Sequence, residues 1–555
     1  MAEAAVDAEP AQIRPASMAT VVAASTAGTA FEWYDFFIFG NLVQVISRNF
    51  FAQLGPTAGL IASLALFGVG FAFRPLGALV FGRLGDQIGR KAAFLTCVLM
   101  MGGATFLIGA LPTSAQAGAI APILLILLRV LQGAAVGGQY GGAAIFVAEH
   151  APADRRGYFT GWVQTSAAFG LTAALAVIFV TRRSLGEEAF AAWGWRLPFF
   201  ASAVLVAASI WMRLRLTESP AFQQLKAEGG ASAAPYAEAF GRWSNLKLVL
   251  IAFLGIMCAQ GAYWYTVFFY ADVFMEKFLK VEGDYANLVI MIGALVSAPS
   301  YVFFGWLSDR VGRKLVMWGG MTLGLVALFP AFMVISQAAN PALTHAARTT
   351  PVVVVADPAD CSLQFDITGK ARPVTSCDIA KSLLAGGGVG YANRPAPAGS
   401  LAVVQVGARR LAAPEGRGLS GPALKAASAA FSAQLSKALA AAGYPAGSDP
   451  AQRDGPLLIG VFLVLVIAAT ALYGPMAAAL AELFPMRVRY TALSLPYHVG
   501  AGWIGGFQPV ASFSIVVATG DIYAGLWYPA IFTAVSVVCC LLFFPETRGR
   551  SLAPA

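Results

Sequence analysis

Ionisable side chains set inside long apolar runs are where this sequence could do chemistry. Glu32 and Asp35 share one such run, and Arg129 lies in another. A charge at the centre of a bilayer costs about 3 kcal/mol or more unless it is paired or faces a cavity, so each is a functional candidate. The i, i+3 spacing puts Glu32 and Asp35 on one helix face. At 1.5 Å per residue, Glu32, Asp35 and Arg129 lie roughly 21, 25 and 28 Å along their runs from the same side. A carboxylate beside a fixed guanidinium ionises more readily, and one left in apolar surroundings less readily. Two acids sharing one Arg leave one of them able to accept and release a proton. The expectation is that Asp35 or Glu32 carries a coupling proton and that Arg129 sets its affinity. A static buried ion pair that only fixes helix packing is the competing reading, and the spacing does not choose between the acids.

Other polar and aromatic residues within apolar runs are candidates for a substrate wall. They are Tyr34, Gln132, Gln139, Tyr140, Gln164, Gln260, Tyr263, Tyr265, Tyr497 and His498. Aromatics on apolar faces more often pack or anchor at the interface, so only some of these should touch substrate. His498 is the one histidine inside a run and is expected to contact substrate rather than carry a proton. Arg74 precedes Pro75, roughly 11 Å from the same side. It either faces a cavity and binds an anion or snorkels to the interface. There is no paired-cysteine metal site, phosphate-binding loop or nucleophile elbow, so no cofactor, metal or enzyme activity is expected.

The elements that must position these groups are membrane helices. The 555 residues are 58% hydrophobic and 12% charged, with a mean hydropathy of +0.69. Soluble domains carry about 25% charged residues, so this composition excludes a water-exposed globular enzyme. The net charge of +9 is spread over connections rather than gathered in a basic stripe, which argues against nucleic acid. Runs of about 20 residues span a bilayer core. Such runs fall at 18–44, 58–81, 92–112, 119–148, 157–181 and 193–213, forming a bundle over 18–213. A linker at 214–245 follows. Six more runs fall at 246–275, 286–307, 314–337, 455–480, 491–518 and 523–545, so the second bundle occupies 246–337 and 455–545. Leaving out the eleven in the long stretch 338–454, which is exempt from the rule, eighteen Lys and Arg gather in the connections of one side against six on the other. That bias puts both ends of the chain, 1–17 and 546–555, in the cytoplasm. The acidic residues Glu3, Asp7 and Glu9 argue against a cleavable signal peptide.

The connections repeat. Gly82–Lys91, GRLGDQIGRK, returns 223 positions later as Gly305–Lys314, GWLSDRVGRK. Each copy is a charged turn between two runs, and a duplicated turn implies a duplicated bundle. Gly82, Asp86, Arg90, Lys91, Asp309, Arg313 and Lys314 are expected to gate, each Asp pairing with Arg or a helix N-terminus in one state and releasing in another. The alternative is solvated salt bridges worth under about 1 kcal/mol. A second pair, Glu149-His-Ala-Pro152 and Glu482-Leu-Phe-Pro485, lies 333 apart, so the second half has gained about 110 residues. These are the polar stretch 338–454. Val352–Val355 and Leu401–Val406 read as strands, and Cys377–Ala385 and Gly421–Ala442 as helices. The stretch is read as a small α/β domain outside the membrane. Cys361 and Cys377 are expected to form a disulfide in an oxidising compartment, the alternative being two free thiols.

Two sixes of spans, with a G-x-L-x-D-x-x-G-R-K turn after spans two and eight, resemble the major facilitator superfamily. Arg129-Val-Leu-Gln-Gly133 is similar to its R-x-x-Q-G motif, and Pro545-Glu-Thr-Arg-Gly549 to its frequent ending. Phe31–Phe36 and Arg74-Pro-Leu-Gly77 resemble its metabolite:proton symporter family. The resemblance covers nearly everything except 338–454. It implies an all-α polytopic membrane protein of twelve helices in two six-helix pseudo-repeats, with the α/β insertion as an addition. It also implies a monomer in a bacterial inner membrane that imports a small organic acid or zwitterion with a proton by alternating access. An export antiporter uses the same scaffold. A membrane sensor, with 338–454 binding a ligand, needs a cytoplasmic output domain for which the two tails are too short. The insertion is open to shielding the mouth, recruiting a periplasmic partner or binding substrate.

Overall fold

The computed structural model describes residues 17–51, 63, 66, 68–214, 218–228, 232–361 and 374–552. The expected amino-terminal tail and Arg215 of the linker lie outside them, apart from Ser17, which caps the first helix through Thr20 N–H. The first bundle contains α1 (Met18–Asn41), α2 (Arg74–Gln87), α3 (Arg90–Ala110), α4 (Ile120–His150), α5 (Arg156–Leu185) and α6 (Arg196–Leu214). The second begins with α7 (Trp243–Phe278), α8 (Gly283–Val311) and α9 (Arg313–Ala339). After the inserted domain it resumes with α12 (Gly455–Leu483), α13 (Met486–Thr519) and α14 (Ala524–Phe543). Two short helices, Pro220–Ala227 and Pro235–Phe240, occupy the polar break between bundles.

Nine helices among the described residues are long and apolar enough to cross a bilayer, or ten counting one bent pair. The expected twelve is thus not reached as a count. α1 falls short because Ser, Thr and Gly residues and two carboxylates dilute its apolar length. The upstream part of the second run lies partly outside the described residues.

Glycine ends the helices at both repeated turns. Gly89 has φ 133° and Gly312 φ 111°, a region that L side chains rarely adopt. A Cβ would also stand 2.3 Å from Glu218 Oε2 at Gly89 and 2.5 Å from Glu546 Oε2 at Gly312. Small residues likewise set the α2–α4 distance: a Cβ on Gly137 would lie 2.2 Å from Arg74 O. α7 and α13 each contain π-helical turns, Thr266–Tyr270 and Val499–Gly505 among them. Such turns shift the register of side chains and recur at functional sites.

The insertion folds around its own apolar core, at the end of the molecule away from the repeated turns. Its sheet runs β1 (Val352–Ala356), β2 (Tyr391–Pro395), β3 (Val403–Val406) and β4 (Arg409–Ala412), in the order β2-β1-β3-β4. β1 pairs with β2 in parallel and with β3 antiparallel. α10 (Ser376–Gly386) and α11 (Gly421–Ala441) contribute to the core with Leu384, Phe431 and Leu435 buried. Two strands were not foreseen. YANRP and RRLA are edge strands, and their Pro, Asn and Arg content hides strand periodicity. Cys361 and Cys377 are joined as a disulfide with Cα atoms 5.2 Å apart.

Candidate functional site

The two carboxylates of α1 face different surroundings. Glu32 lines a small cavity of about 20 Å³ at the junction of the bundles. Arg74, Tyr140, Tyr497 and His498 line it too, together with Trp33 and Phe36. Asp35, one turn on, is buried within the first bundle and does not line that cavity; it lies near Thr105, whose hydroxyl donates to Met101 O at 2.9 Å. Gln132 Nε2 donates to Thr105 Oγ1 at 2.7 Å, and Arg129 Nη1 donates to Gln132 Oε1 at 2.9 Å. A polar chain therefore runs Thr105–Gln132–Arg129 across α3 and α4, and Asp35 of α1 lies beside its Thr105 end. The expectation of one cluster of two acids around Arg129 is corrected. Three residues of helix leave Asp35 about 60° round α1 from Glu32, and of the two only Glu32 lines the cavity.

Arg74 does not snorkel. It is buried, its Nη1 donates to Tyr265 Oη at 3.4 Å, and its guanidinium stands 4.6 Å from the Phe71 ring centroid. Its positive charge is therefore held inside the bundle junction, on the wall that His498 shares. His498 is fully buried, and neither ring nitrogen has a hydrogen-bond partner among the described residues. Burying unpaired polar atoms costs roughly 1–3 kcal/mol each. Gln139 is in the same condition at both amide atoms, and Gln260 at Oε1.

Tyr140 and Tyr497 close the cavity between bundles, stacked at 3.8 Å. Gln164 Nε2 holds Tyr140 Oη at 2.8 Å, and Tyr473 and Tyr497 share a hydrogen bond of 2.9 Å. Of the expected wall residues, Tyr34, Gln132, Gln139, Gln164, Gln260, Tyr263 and Tyr265 do not line this cavity. Tyr34 donates to Pro198 O at 3.0 Å inside the first bundle, and Tyr263 to Leu465 O at 3.4 Å inside the second. Both rings fill a core and spend their hydroxyls on backbone. Gln132 serves the relay rather than the cavity wall. Trp33, Trp264, Tyr473 and Thr105 were missed, because an aromatic or Thr in an apolar run looks like packing.

At the end with the repeated turns, two matching latches cross between bundles. Asp86 pairs with Arg90 at 3.0 Å and accepts the N–H groups of Tyr490 and Thr491 at 3.1 and 2.8 Å. Asp309 pairs with Arg313 at 2.6 Å and accepts the N–H groups of Gly157 and Tyr158 at 2.8 and 2.7 Å. Each Asp thus caps the first turn of a helix in the opposite bundle, where donors are otherwise orphaned. Glu149 bonds Arg489 at 2.9 Å and lies 3.7 Å from Arg90. Glu482 bonds Arg156 at 2.6 Å and Arg313 at 3.2 Å. The 333-residue offset that matches Glu149 with Glu482 also matches Arg156 with Arg489, so the repeat held this signal.

The ammonium groups of Lys91 and Lys314 bond backbone carbonyls. Their side chains reach Leu214 O and Leu541 O, at 3.2 and 2.9 Å, while their backbone N–H groups bond Glu218 and Glu546. Gly82 contributes closeness: a Cβ there would stand 2.9 Å from Thr491 Cα. The carboxyl-terminal segment is no loose tail. Thr547 Oγ1 donates to Glu482 at 3.1 Å and Arg548 Nη1 to Arg310 O at 2.6 Å.

Comparison with known proteins matches this arrangement. Residues 23–355 match the family described as Major Facilitator Superfamily, and residues 377–554 the one described as Sugar (and other) transporter. The chain is 37% identical over 312 residues to the shikimate transporter of Escherichia coli, covering 56% of this chain and 70% of that one. It is 36% identical over 330 residues to the proline/betaine transporter of Salmonella typhimurium, covering 57% and 64%. Its fold is similar to the proton:xylose symporter XylE bound to 6-bromo-6-deoxy-D-glucose, with a TM-score of 0.59 at 16% identity over 96% of this chain and 97% of that one. The xylose transporter XylE from E. coli in a partially occluded inward-open conformation gives 0.53 at 15% identity, over 96% and 99%. Paired bundles, repeated latches and these matches agree: the chain is a multi-pass membrane protein belonging to the Major Facilitator Superfamily, a family of transporters rather than enzymes.

Proposed function

We propose that the protein is a proton-coupled symporter that imports a small organic acid or zwitterion by alternating access. The observation that carries this is the cavity where Glu32 and Arg74 of one bundle meet His498 of the other, beside latches that shut one end. A cavity of about 20 Å³ holds about one water, so solute enters only when the bundles rock apart. Arg74 is the anchor for a carboxylate, a group that shikimate, proline and betaine all carry. Asp35 takes the coupling proton and the Thr105–Gln132–Arg129 relay reports its charge across the first bundle. Glu32 faces the solute.

The turns, with the latches, lie in the cytoplasm together with both ends of the chain, as the Lys/Arg bias supports. Residues 338–454 then stand outside, where a disulfide persists. The twelve spans sit in the lipid bilayer of an inner membrane as a monomer, and the insertion is free to meet a periplasmic partner. Uptake of labelled betaine, proline and shikimate into proteoliposomes, with and without an imposed pH difference, tests the reading. Faster and higher accumulation with the outside acid is expected. An accumulation level that ignores the pH difference removes the symport reading, and one that reverses makes the protein an exporter.

A further inference from the structure

The inserted domain is stitched to the second bundle at three places. At the α13–α14 loop, Tyr391 N donates to Gly520 O at 2.8 Å and Asn393 Nδ2 to Thr519 O at 2.7 Å. At the α7–α8 loop, Ser448 N donates to Lys280 O at 2.9 Å and Lys280 Nζ to Pro445 O at 3.1 Å. At the end of α9, Asp454 N donates to Ala338 O at 2.9 Å. Close approach fixes the first two joints: a Cβ on Gly520 would stand 2.0 Å from Tyr391 O, and one on Gly388 1.9 Å from Lys277 O.

Between these joints the seam does not close, and a cavity of about 450 Å³ remains. That is within the range of roughly 300–1,000 Å³ typical of small-molecule sites. Its walls are apolar, with Phe278, Met333, Leu343, Ile522 and the Tyr391 ring among them. Two charges of opposite sign also line it, Arg348 and Asp521, and both are exposed. Among the described residues no ion pair joins Arg348 to Asp521, and both line the cavity together with Tyr523. Asp521 Oδ1 accepts the Tyr523 N–H at 2.9 Å, which fixes its direction.

A guanidinium and a carboxylate that line one apolar cavity without an ion pair between them complement a zwitterion with a hydrocarbon body. The Arg348 fork takes a carboxylate, Asp521 an ammonium, and the walls the side chain. We propose that this seam is a second binding site, separate from the central cavity, for an α-amino acid with an apolar side chain. Such a ligand touches α7, α9, the α13–α14 loop and the inserted domain together. It therefore favours whichever conformation keeps the seam in this shape and acts as an effector of the second bundle's motion.

The test is calorimetric titration of the purified full-length protein with leucine and with phenylalanine. Binding of one or both is expected, about tenfold weaker in Arg348→Ala and in Asp521→Asn, for the loss of one charge-assisted contact. Both residues are exposed, so either variant serves if the other does not fold. Arg74→Ala, in the central cavity, should bind as the wild type does. Loss of binding in Arg74→Ala, unchanged binding in both Arg348→Ala and Asp521→Asn, or no binding of either amino acid overturns the proposal. So does a signal that depends on Arg348 and Asp521 but is seen only with phosphatidylethanolamine vesicles, which would make the occupant a lipid headgroup.

Discussion

At the scale of single residues, the separation of Glu32 from Asp35 is the central result. Their roles divide because one turn of helix gives them different neighbours, the cavity for Glu32 and the Thr105–Gln132–Arg129 relay for Asp35. In Asp35→Asn, uptake driven by a pH difference should fall at least about tenfold while solute counterflow persists. In Glu32→Gln, both should fall, because the solute contact itself is altered. Flux in proteoliposomes separates the two variants. Asp357 makes a different prediction, in the inserted domain. The N–H groups of Gly399 and Ala359 hold its carboxyl below the ordinary carboxylate range, by hydrogen bonds of 2.8 and 2.9 Å. A depressed folded value stabilises above the unfolded value of about 3.9 and is lost as pH falls through the folded one. The protection factors of the β1 amides should fall below about pH 4, and Asp357→Asn should flatten that dependence.

At the scale of elements, each repeated turn works by capping a helix that belongs to the other bundle. Asp86 and Asp309 therefore act on the free ends of α13 and α5 as much as on their own arginines. Removing one partner of a buried ion pair costs about 3–5 kcal/mol. Glu482→Gln should accordingly loosen the closed end, seen as faster maleimide labelling of a cysteine placed at Ser308. Asp86→Asn should leave solute binding intact and slow transport; transport at the wild-type rate would count against the latch. The inserted domain has a separate element, its disulfide. Closing a loop of 16 residues stabilises by about 3 kcal/mol. Cys361→Ser should lower the domain's melting temperature, as followed by hydrogen exchange in α10.

At the scale of the whole molecule, two bundles meet through stacked tyrosines at the centre and ion networks at one end. Rocking must break the contacts across one end before solute leaves by it. Gly141 and Ser494 face each other across the junction of α4 and α13, where a Cβ on Gly141 would stand 2.5 Å from Ser494 Oγ. A disulfide between Gly141→Cys and Ser494→Cys should therefore arrest transport under oxidation and release it on reduction, measured as flux in one preparation. Flux that continues with the cross-link formed rules out rocking about this junction.

Much of this was legible in the sequence. Apolar length, basic connections and the copied turn determine a duplicated helical membrane protein, because a bilayer requires every span to satisfy its own backbone. The turn residues Asp86, Arg90, Asp309 and Arg313 stood out because they repeat, and Arg129 because charge inside a span is costly. The edge strands of the insertion did not, since pairing with a neighbour outweighed their poor propensity. Only the tertiary structure decided that Asp35 turns from the cavity, that Tyr34 is core, that Arg74 faces inward and that each latch crosses between bundles. Periodicity gives the face of a helix, but the partner on that face comes from a residue hundreds of positions away.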